Sequence, residues 1–356
     1  MESRSRRIKG RGTDNESSPR YLEHSRQPLE DAVEFEEESV SVKTTIMDEV
    51  AKSIISSNSS PDVPFELSIN PYRGCEHGCS YCYARPSHAY LDLSPGLDFE
   101  TRIIAKHNAA EKLLEELAAP SYECKPIALG SNTDPYQPVE KKLGITRRII
   151  EVLAKHSHPL TIVTKSYLVQ RDMDLLADMA KRNLVQVFIS VTTLDAKLAN
   201  RLEPRASSPF RRVETIEKLV TAGIPTGLLL APVIPAVNDM EIEDILRACA
   251  EAGANTAGYV LLRLPLEVRE IFIEWLDKHM PMRKEHVMSI VRDIRSGKDY
   301  DSSFHSRMSG TGVFASLIAN RFNKSCKELK LDRKRISLDC SLFEAPQLPG
   351  TQQTLF

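Results

Sequence analysis

The sequence contains no run of 18 apolar residues, so it predicts no helix that could cross a bilayer. The basic start, MESRSRRIKGRG, is followed by no apolar stretch, which argues against a secretory signal. Neither sign of charge is in large excess, because 47 Lys and Arg nearly balance 49 Asp and Glu, for a net charge of −2. This balance gives the whole chain no strong attraction to nucleic acid or to a membrane surface. With 41% hydrophobic and 27% charged residues, the composition is typical of a globular protein.

Cysteine is present in an odd number, seven, in a chain of 356 residues that can bury a large core without disulfide bonds. This usage predicts a reducing cytoplasm, with thiols kept for metal or redox chemistry. Cys124 and Cys249 lie in or beside apolar segments and are predicted to be small buried side chains. Cys326 and Cys340 lie near basic and loop sequence, and a second metal site formed by these two would lack further ligands.

Composition divides the chain into four regions. Residues 1–60 form a charged, Ser-rich arm, most of which is predicted to be flexible or loosely docked, with one short helix near residues 46–56. Residues 61–265 alternate short apolar runs with amphipathic helical patterns and form the main domain. A helical extension is predicted for residues 266–338 and a flexible tail for residues 339–356.

The main domain contains six short β-rich runs, which predict strands at residues 65–71, 126–130, 160–164, 185–191, 226–234 and 257–262. Helical patterns lie between these runs, at residues 103–118, 208–223 and 238–253. Ser208 and Asn238 are the predicted N-caps of the last two helices, and a glycine follows each helix. Strand–helix units in series imply a parallel sheet of the α/β class. Six units are too few for a closed eight-stranded barrel, so a partial (β/α)6 TIM-type barrel or an open doubly wound sheet follows.

The stretch INPYRGCEHGCSYCYARP holds three cysteines, Cys75, Cys79 and Cys82, in the spacing C-x3-C-x2-C. It follows the first predicted strand, and functional loops of β/α barrels lie at the C-terminal ends of strands. A structural zinc site would need a fourth ligand, from His77, His88 or a distant cysteine. A ferredoxin-like cluster would need four cysteines in a different spacing. The third interpretation is a [4Fe–4S] cluster held by three thiolates, which leaves one iron open to a cofactor or substrate.

The cysteine spacing, with Tyr81 before the last cysteine, resembles the signature of the radical S-adenosylmethionine (radical SAM) superfamily. The resemblance implies that the open iron binds the amine and carboxylate of S-adenosylmethionine. It implies reductive cleavage of that cofactor to a 5′-deoxyadenosyl radical, which abstracts hydrogen from a substrate. It also implies a reductant such as flavodoxin or ferredoxin. No catalytic side chain is assigned beyond the cluster ligands.

Residues 65–265 are similar to the branch of this superfamily that contains spore photoproduct lyase. The motifs INPYRGCEHGCSYCYARP and TDPYQPVE most resemble a bacterial group described as splB-like DNA repair photolyases. In that branch the cofactor is contacted by residues of the cysteine loop and by residues that follow strands two to five. The resemblance therefore implies cofactor contacts from Tyr81, Thr133, Lys165, Ser190 and the backbone near Val233.

One position departs from that branch. Spore photoproduct lyase has a cysteine that donates a hydrogen atom just before the hydroxyl residue of strand two, where this chain has Ser131 or Asn132. A hydroxyl or an amide is a far poorer hydrogen-atom donor than a thiol. The departure favours a hydrogen abstraction other than spore photoproduct repair.

Basic residues are clustered in two places. One predicted helical face carries Arg321, Lys324, Lys327 and Lys330, with Arg333, Lys334 and Arg335 after them. This face either binds phosphates or is a solvated surface. The second cluster, near the predicted barrel mouth, consists of Arg201, Arg205, Arg211 and Arg212. It either binds a phosphate or polar substrate or pairs with Glu203 and Glu214, so DNA or another nucleic acid is favoured only weakly as the substrate.

The C-terminal sequence QQTLF resembles the Q-x-x-L-F peptide with which bacterial replication and repair proteins bind the sliding clamp. Gln352, Leu355 and Phe356 would be its anchors, unless the tail packs on its own domain. The leading hypothesis is a cytoplasmic radical SAM enzyme of unknown substrate. Two alternatives stay open: an iron–sulfur electron-transfer or sensing protein without SAM chemistry, and a clamp-associated interaction protein.

Overall fold

The structure, a computed structural model, describes residues 8–17, 19–21, 42–304, 306–332 and 336–347. Its strands are β1 (Thr45–Glu49), β2 (Ile55–Ser57), β3 (Leu67–Ile69), β4 (Tyr72–Arg73), β5 (Arg102–Lys106), β6 (Ile127–Leu129), β7 (Leu160–Thr164), β8 (Val185–Ser190), β9 (Thr226–Val233) and β10 (Ala257–Leu261). Its helices are α1 (Leu97–Thr101), α2 (Ala109–Leu117), α3 (Glu140–Leu143), α4 (Ile145–Lys155), α5 (Met173–Lys181), α6 (Ala196–Leu202), α7 (Pro209–Thr221), α8 (Ile242–Glu251), α9 (Val268–His279), α10 (Lys284–Asp293) and α11 (Gly312–Glu328).

The main sheet contains the six predicted strands in the spatial order β10-β9-β8-β7-β6-β3, with β2 added at the edge. The six are parallel to one another, and β2 pairs antiparallel with β3. Each parallel strand lies beside its neighbour in the chain, so the winding never reverses direction as it would in a doubly wound sheet. The described strands at the two ends do not pair with each other. The α/β fold is therefore an open, partial barrel, as the sequence predicts.

A second, small sheet has the order β1-β5-β4 and corrects two predictions. The short helix predicted near residues 46–56 is wrong, because β1 pairs in parallel with β5 along its whole length. The helix predicted from residue 103 begins only at α2, because the β-branched pair Ile103 and Ile104 lies in β5. The outer boundaries of the four regions stay predictions.

Several helix boundaries follow the predicted signals. Helix α7 begins directly after Ser208, and Gly223 lies past its end with a φ of 78°, a conformation that favours glycine. Helix α8 begins later than predicted, because a 3-10 turn at Asp239–Glu241 separates it from Asn238. The predicted helical extension contains α9, α10 and α11.

The extension covers the β10 edge of the open sheet. The amide of Ala257 donates to the carbonyl of Leu331 at 3.1 Å, and the amide of Leu261 donates to the carbonyl of Met308 at 2.9 Å. Two hydrogen-bond donors at this edge are thus satisfied by the chain itself, which hinders pairing of the strand with another chain.

The main core lies between the inner sheet and the helices that follow each strand, and its buried residues come from every part of the barrel. Residues 339–347, assigned from sequence to a flexible tail, also lie against the barrel, because Phe343 packs on the core. Within the described ranges, no helix combines the length and the apolar character that crossing a bilayer requires.

The central strand β9 offers a test of this core. Leu228 is fully buried, so we expect Leu228→Ala to lower the free energy of unfolding by about 2–5 kcal/mol through lost burial and a cavity. Leu317 on α11 is 50% exposed, and Leu317→Ala should change stability by less than about 0.5 kcal/mol. Urea denaturation followed by circular dichroism measures both variants. Equal effects would contradict this assignment of the core.

Candidate active site

The cysteine loop begins directly after β4, at the end of the barrel where the parallel strands finish. Cys75 and Cys79 are buried, Cys82 is partly buried, and all three are free thiols. Gly78, between them, has a φ of 66°, and a Cβ atom there would lie 2.6 Å from the carboxylate of Glu100. Only glycine fits this position without strain, so the loop conformation depends on the glycine of the C-x3-C segment.

Two buried side chains hold the loop in place. Arg85 donates from Nε to the carbonyl of Cys79 at 2.9 Å and pairs with the buried carboxylate of Glu100. Gln137, from the TDPYQPVE motif, donates to the carbonyl of Gly74 at 3.0 Å and accepts from the amide of Glu76 at 2.9 Å. The two motifs that carry the sequence resemblance are therefore joined by direct hydrogen bonds.

The three thiols are close enough to affect one another's titration. The pKa of the Cys75 thiol is raised well above its ordinary value, first by burial and then by Asp134 and the neighbouring Cys79 and Cys82. Binding to a cation would offset this cost, because a metal favours the thiolate form. The loop is therefore suited to bind a positively charged metal centre rather than to hold free thiolates.

The donor geometry separates the two kinds of metal centre. A structural zinc needs four ligands around one ion, and among the described residues no three His, Cys, Asp or Glu side chains are placed to share an ion. One ring nitrogen of each candidate histidine is engaged elsewhere: His77 Nδ1 lies 3.4 Å from Asp134, and His88 Nε2 lies 3.1 Å from the carbonyl of Arg102. Thiols that bind different irons of a cluster need not converge on one point, so this arrangement is compatible with an iron–sulfur cluster.

Lys165, which directly follows β7, is the centre of a polar cluster beside the cysteine loop. Its Nζ donates to Ser190 Oγ at 2.7 Å, to Thr192 Oγ1 at 3.1 Å and to the carbonyl of Ala231 at 3.1 Å. Its side chain is only 14% exposed. The structure thus brings together Lys165 and Ser190, two of the predicted cofactor contacts, at the ends of adjacent strands.

Tyr81 links the cysteine loop to this cluster. Its hydroxyl donates to Glu203 Oε1 and lies 3.4 Å from Thr192 Oγ1. The ammonium of Lys165 lies 5.8 Å from the centroid of the Tyr81 ring, within the range of a cation–π contact. A third predicted residue is therefore in the same cluster.

Glu203 is the residue that sequence reasoning missed as a part of this site. It is buried, lies 3.1 Å from Lys165 Nζ, accepts a 2.6 Å hydrogen bond from Thr192 and pairs with the buried guanidinium of Arg212. Burial alone would raise its pKa, but the charges of Arg212 and Lys165 lower that pKa below the ordinary value. The carboxylate is therefore ionised and sits between two cations.

The arginine cluster near the mouth is mostly engaged within the protein. Arg212 pairs with Glu203, as one predicted alternative had it, and Arg205 pairs with Glu76 at 2.9 Å. The guanidinium of Arg211 lies 4.7 Å from the centroid of the Tyr167 ring. The other predicted partner, Glu214, instead pairs with Lys218 at 2.8 Å.

Two predicted cofactor residues have hydrogen bonds outside the Lys165 cluster. The hydroxyl of Thr133 donates to the carbonyl of Tyr72 at 3.0 Å, and the carbonyl of Val233 accepts from the amide of Leu262 at 2.9 Å. Asp134, next to Thr133, was not predicted, yet it accepts from the backbone amide of Lys165 at 2.7 Å. The roles of Thr133 and Val233 in cofactor binding stay predictions.

The sequence model of the radical SAM superfamily matches residues 69–249, which include the cysteine loop and the Lys165 cluster. The chain belongs to this superfamily. An uncharacterised protein of Mycobacterium tuberculosis is 38% identical over 221 residues, which are 62% of this chain and 65% of that protein. The match thus spans less than two thirds of the mycobacterial relative.

The sequence identity to spore photoproduct lyase is lower than that to the mycobacterial protein. The structural similarity to this enzyme extends over more of the chain than the sequence similarity does. The spore photoproduct lyase of Clostridium acetobutylicum is 24% identical over 214 residues, 59% of this chain and 58% of that enzyme. A solved structure of a mutant spore photoproduct lyase with bound AdoMet and dinucleoside spore photoproduct superposes with a TM-score of 0.52. The two sequences are 15% identical, and the superposition covers 80% of this chain and 79% of the enzyme's chain. This likeness shows a shared fold.

The buried charge of Glu203 can be tested by removing it alone. Glu203→Gln keeps the shape of the side chain but leaves Arg212 buried without its anion, so we expect a loss of about 3–5 kcal/mol of stability. The matched control is Glu214→Gln, which breaks an exposed pair on one helix and should cost about 0.3–0.5 kcal/mol. Urea denaturation compares the two variants. A Glu203→Gln effect as small as that of the control would contradict the interpretation.

Proposed function

We propose that this chain is a radical SAM enzyme that holds a [4Fe–4S] cluster through Cys75, Cys79 and Cys82 and cleaves S-adenosylmethionine to a 5′-deoxyadenosyl radical. The radical would abstract hydrogen from a substrate. The observation that carries the proposal is the Lys165 cluster, which lies directly beside the cysteine loop and is joined to it through Tyr81. An iron–sulfur cluster used for electron transfer alone would not need a buried cation and hydroxyls at the same end of the barrel.

The polar cluster offers what the amino-acid part of the cofactor needs. When bound, the iron–sulfur cluster supplies the electron for cleavage. Lys165 presents an ammonium and Ser190 a hydroxyl at adjacent strand ends, and these groups suit a carboxylate. Glu203 pairs with the ammonium, and Arg212 in turn pairs with Glu203. The burial of Cys75 and Cys79, each 7% exposed, would keep water away from the reacting atoms.

For the substrate, we propose DNA or another nucleic acid and a lyase-like, repair-type reaction. The support is the similarity to spore photoproduct lyase, one structure of which holds a dinucleoside spore photoproduct. The departure at Ser131 argues for a different hydrogen donor, and its hydroxyl accepts a 3.0 Å hydrogen bond from Asn70. On the basic face of α11, Arg321 is paired with Glu243, which reduces the charge available for phosphates.

The proposed setting and partners follow from the same hypothesis. We propose a cytoplasmic location, with flavodoxin or ferredoxin as the reductant. The sliding clamp is proposed as a partner through Gln352, Leu355 and Phe356, which lie outside the described residues. Arg333, Lys334 and Arg335 of the basic stretch lie outside them as well.

Cleavage of the cofactor provides the first test of this proposal. The protein is reconstituted anaerobically with iron and sulfide, reduced with dithionite and mixed with S-adenosylmethionine, and 5′-deoxyadenosine is quantified. We expect product from the native protein and none from Cys79→Ala, because each of the three thiols binds an iron. Cys249→Ala, which removes a buried thiol of the core, is the control and should retain product formation. Retained cleavage in the Ala variants of all three loop cysteines would overturn the proposal.

Binding of the cofactor provides the second test of this proposal. Lys165→Met removes the ammonium, and loss of a charge-assisted hydrogen bond should weaken binding of S-adenosylmethionine about 10- to 100-fold. Titration calorimetry of the reconstituted protein measures the affinity, and iron analysis checks that the cluster is retained. Lys218→Met, which alters a half-exposed lysine of α7, should leave the affinity unchanged. An unchanged affinity in Lys165→Met, with full iron content, would exclude Lys165 as a cofactor contact.

A further inference from the structure

Two cysteines outside the cysteine loop meet at the opposite end of the barrel. Cys124 lies in the segment before β6, at the end where the parallel strands begin. Cys340 lies in residues 336–347, which follow the last helix of the extension. The cysteine loop lies where the strands end, so these two cysteines are separated from it by the length of the sheet.

Residues 336–347 are fixed to that end of the barrel by main-chain hydrogen bonds. The amide of Asp339 donates to the carbonyl of Asn183 at 3.0 Å, and Asn183 Nδ2 donates to the carbonyl of Ser337 at 2.7 Å. Further along, the amide of Glu344 donates to the carbonyl of His156 at 3.1 Å. Cys340 is thus held between two anchored points.

An aromatic cluster sets the register of the two cysteines. The centroid of the Phe343 ring lies 5.7 Å from that of Tyr122 and 5.2 Å from that of His158, and the Tyr122 hydroxyl lies 2.7 Å from His158 Nε2. Cys124 is two residues past Tyr122, and the carbonyl of Cys340 accepts from the amide of Phe343 at 3.3 Å. The side chains of Cys124 and Cys340 are therefore close enough to interact, and both are free thiols and partly exposed.

We propose that Cys124 and Cys340 are a reversible dithiol–disulfide pair that a small-molecule disulfide, such as oxidised glutathione, converts to an intramolecular disulfide. Proximity of two thiols from distant parts of the chain is the first requirement for such a bond, and partial exposure admits a small oxidant. The bond would tie residues 336–356 covalently to the start of β6. Nothing in this proposal depends on the cofactor chemistry proposed above.

The exchange is balanced in atoms and electrons. One protein thiolate attacks the small disulfide, forms a mixed disulfide and releases one small thiolate, which takes up the proton that the protein thiol lost. The second protein thiol then loses its proton, and its sulfur displaces the second small thiolate. Two protein thiols are oxidised by two electrons, and one small disulfide is reduced to two thiols.

Either cysteine can begin this exchange, because both side chains are partly exposed. Burial first, and then the neighbouring Cys340, raise the pKa of the Cys124 thiol to about 12, which lowers the fraction of reactive thiolate. The remaining thiol would then close the bond, because it lies beside the mixed disulfide.

The experiment uses the reconstituted full chain under nitrogen, in buffers with set ratios of reduced to oxidised glutathione. The reaction is quenched with N-ethylmaleimide, and tryptic peptides are identified by mass spectrometry. Cys124 is the only cysteine of the tryptic peptide 113–141, since the Lys125–Pro126 bond resists trypsin, and Cys340 is the only cysteine of peptide 336–356. A linked mass of these two peptides therefore identifies the bond without ambiguity.

We expect the linked peptide to form at glutathione ratios roughly tenfold or more reducing than those required in urea-unfolded protein, and to disappear with dithiothreitol. Cys326→Ser, which changes a buried thiol on α11, should form the link as the native protein does. Cys124→Ser should instead trap glutathione on Cys340. Separate glutathione adducts on both cysteines of the native protein, or a link that forms no more readily than in urea, would overturn the proposal.

Discussion

The candidate site depends on one buried carboxylate. Glu203 accepts the Tyr81 hydroxyl and lies against both Lys165 and Arg212, so it joins the cysteine loop, the end of β7 and helix α7. Buried ion pairs contribute little net stability, because desolvation of the charges offsets their attraction. Their removal is nevertheless costly when one charge remains. Such a group therefore fixes positions more than it adds stability, and the positions fixed here are those of the ammonium and the aromatic beside the cysteines.

The candidate active site and the contacts of residues 336–347 lie at opposite ends of the barrel. Lys165, Ser190 and the cysteine loop lie where parallel strands end, and the loops there are free to differ without disturbing the core. Residues 336–347 instead pack where the strands begin, through Phe343. Contacts at that end can change while the geometry around Lys165 stays constant, since the length of the sheet separates the two ends.

The sequence predicted the six parallel strands because each is a short apolar run between helical patterns, and period and length suffice to recognise such units. Lys165 and Ser190 could be predicted because residues directly after parallel strands meet at one edge. The pairing of Glu203 with an arginine was one predicted alternative. Its contacts with Lys165 and Tyr81 could not be predicted, because these partners come from distant segments. The strand at Ile103 was missed because its partner β1 lies more than 50 residues away, and local periodicity contains no information on such pairing.

The covering of β10 has a consequence for the order in which the chain can fold. Its edge amides are satisfied by Met308 and Leu331, which leave the ribosome only after the whole barrel has been made. Until then the growing chain carries an unpaired, apolar strand edge of the kind that joins neighbouring chains into aggregates. The helical extension thus protects the last strand of the barrel, and a chain that ends before residue 308 would lack both of these hydrogen bonds.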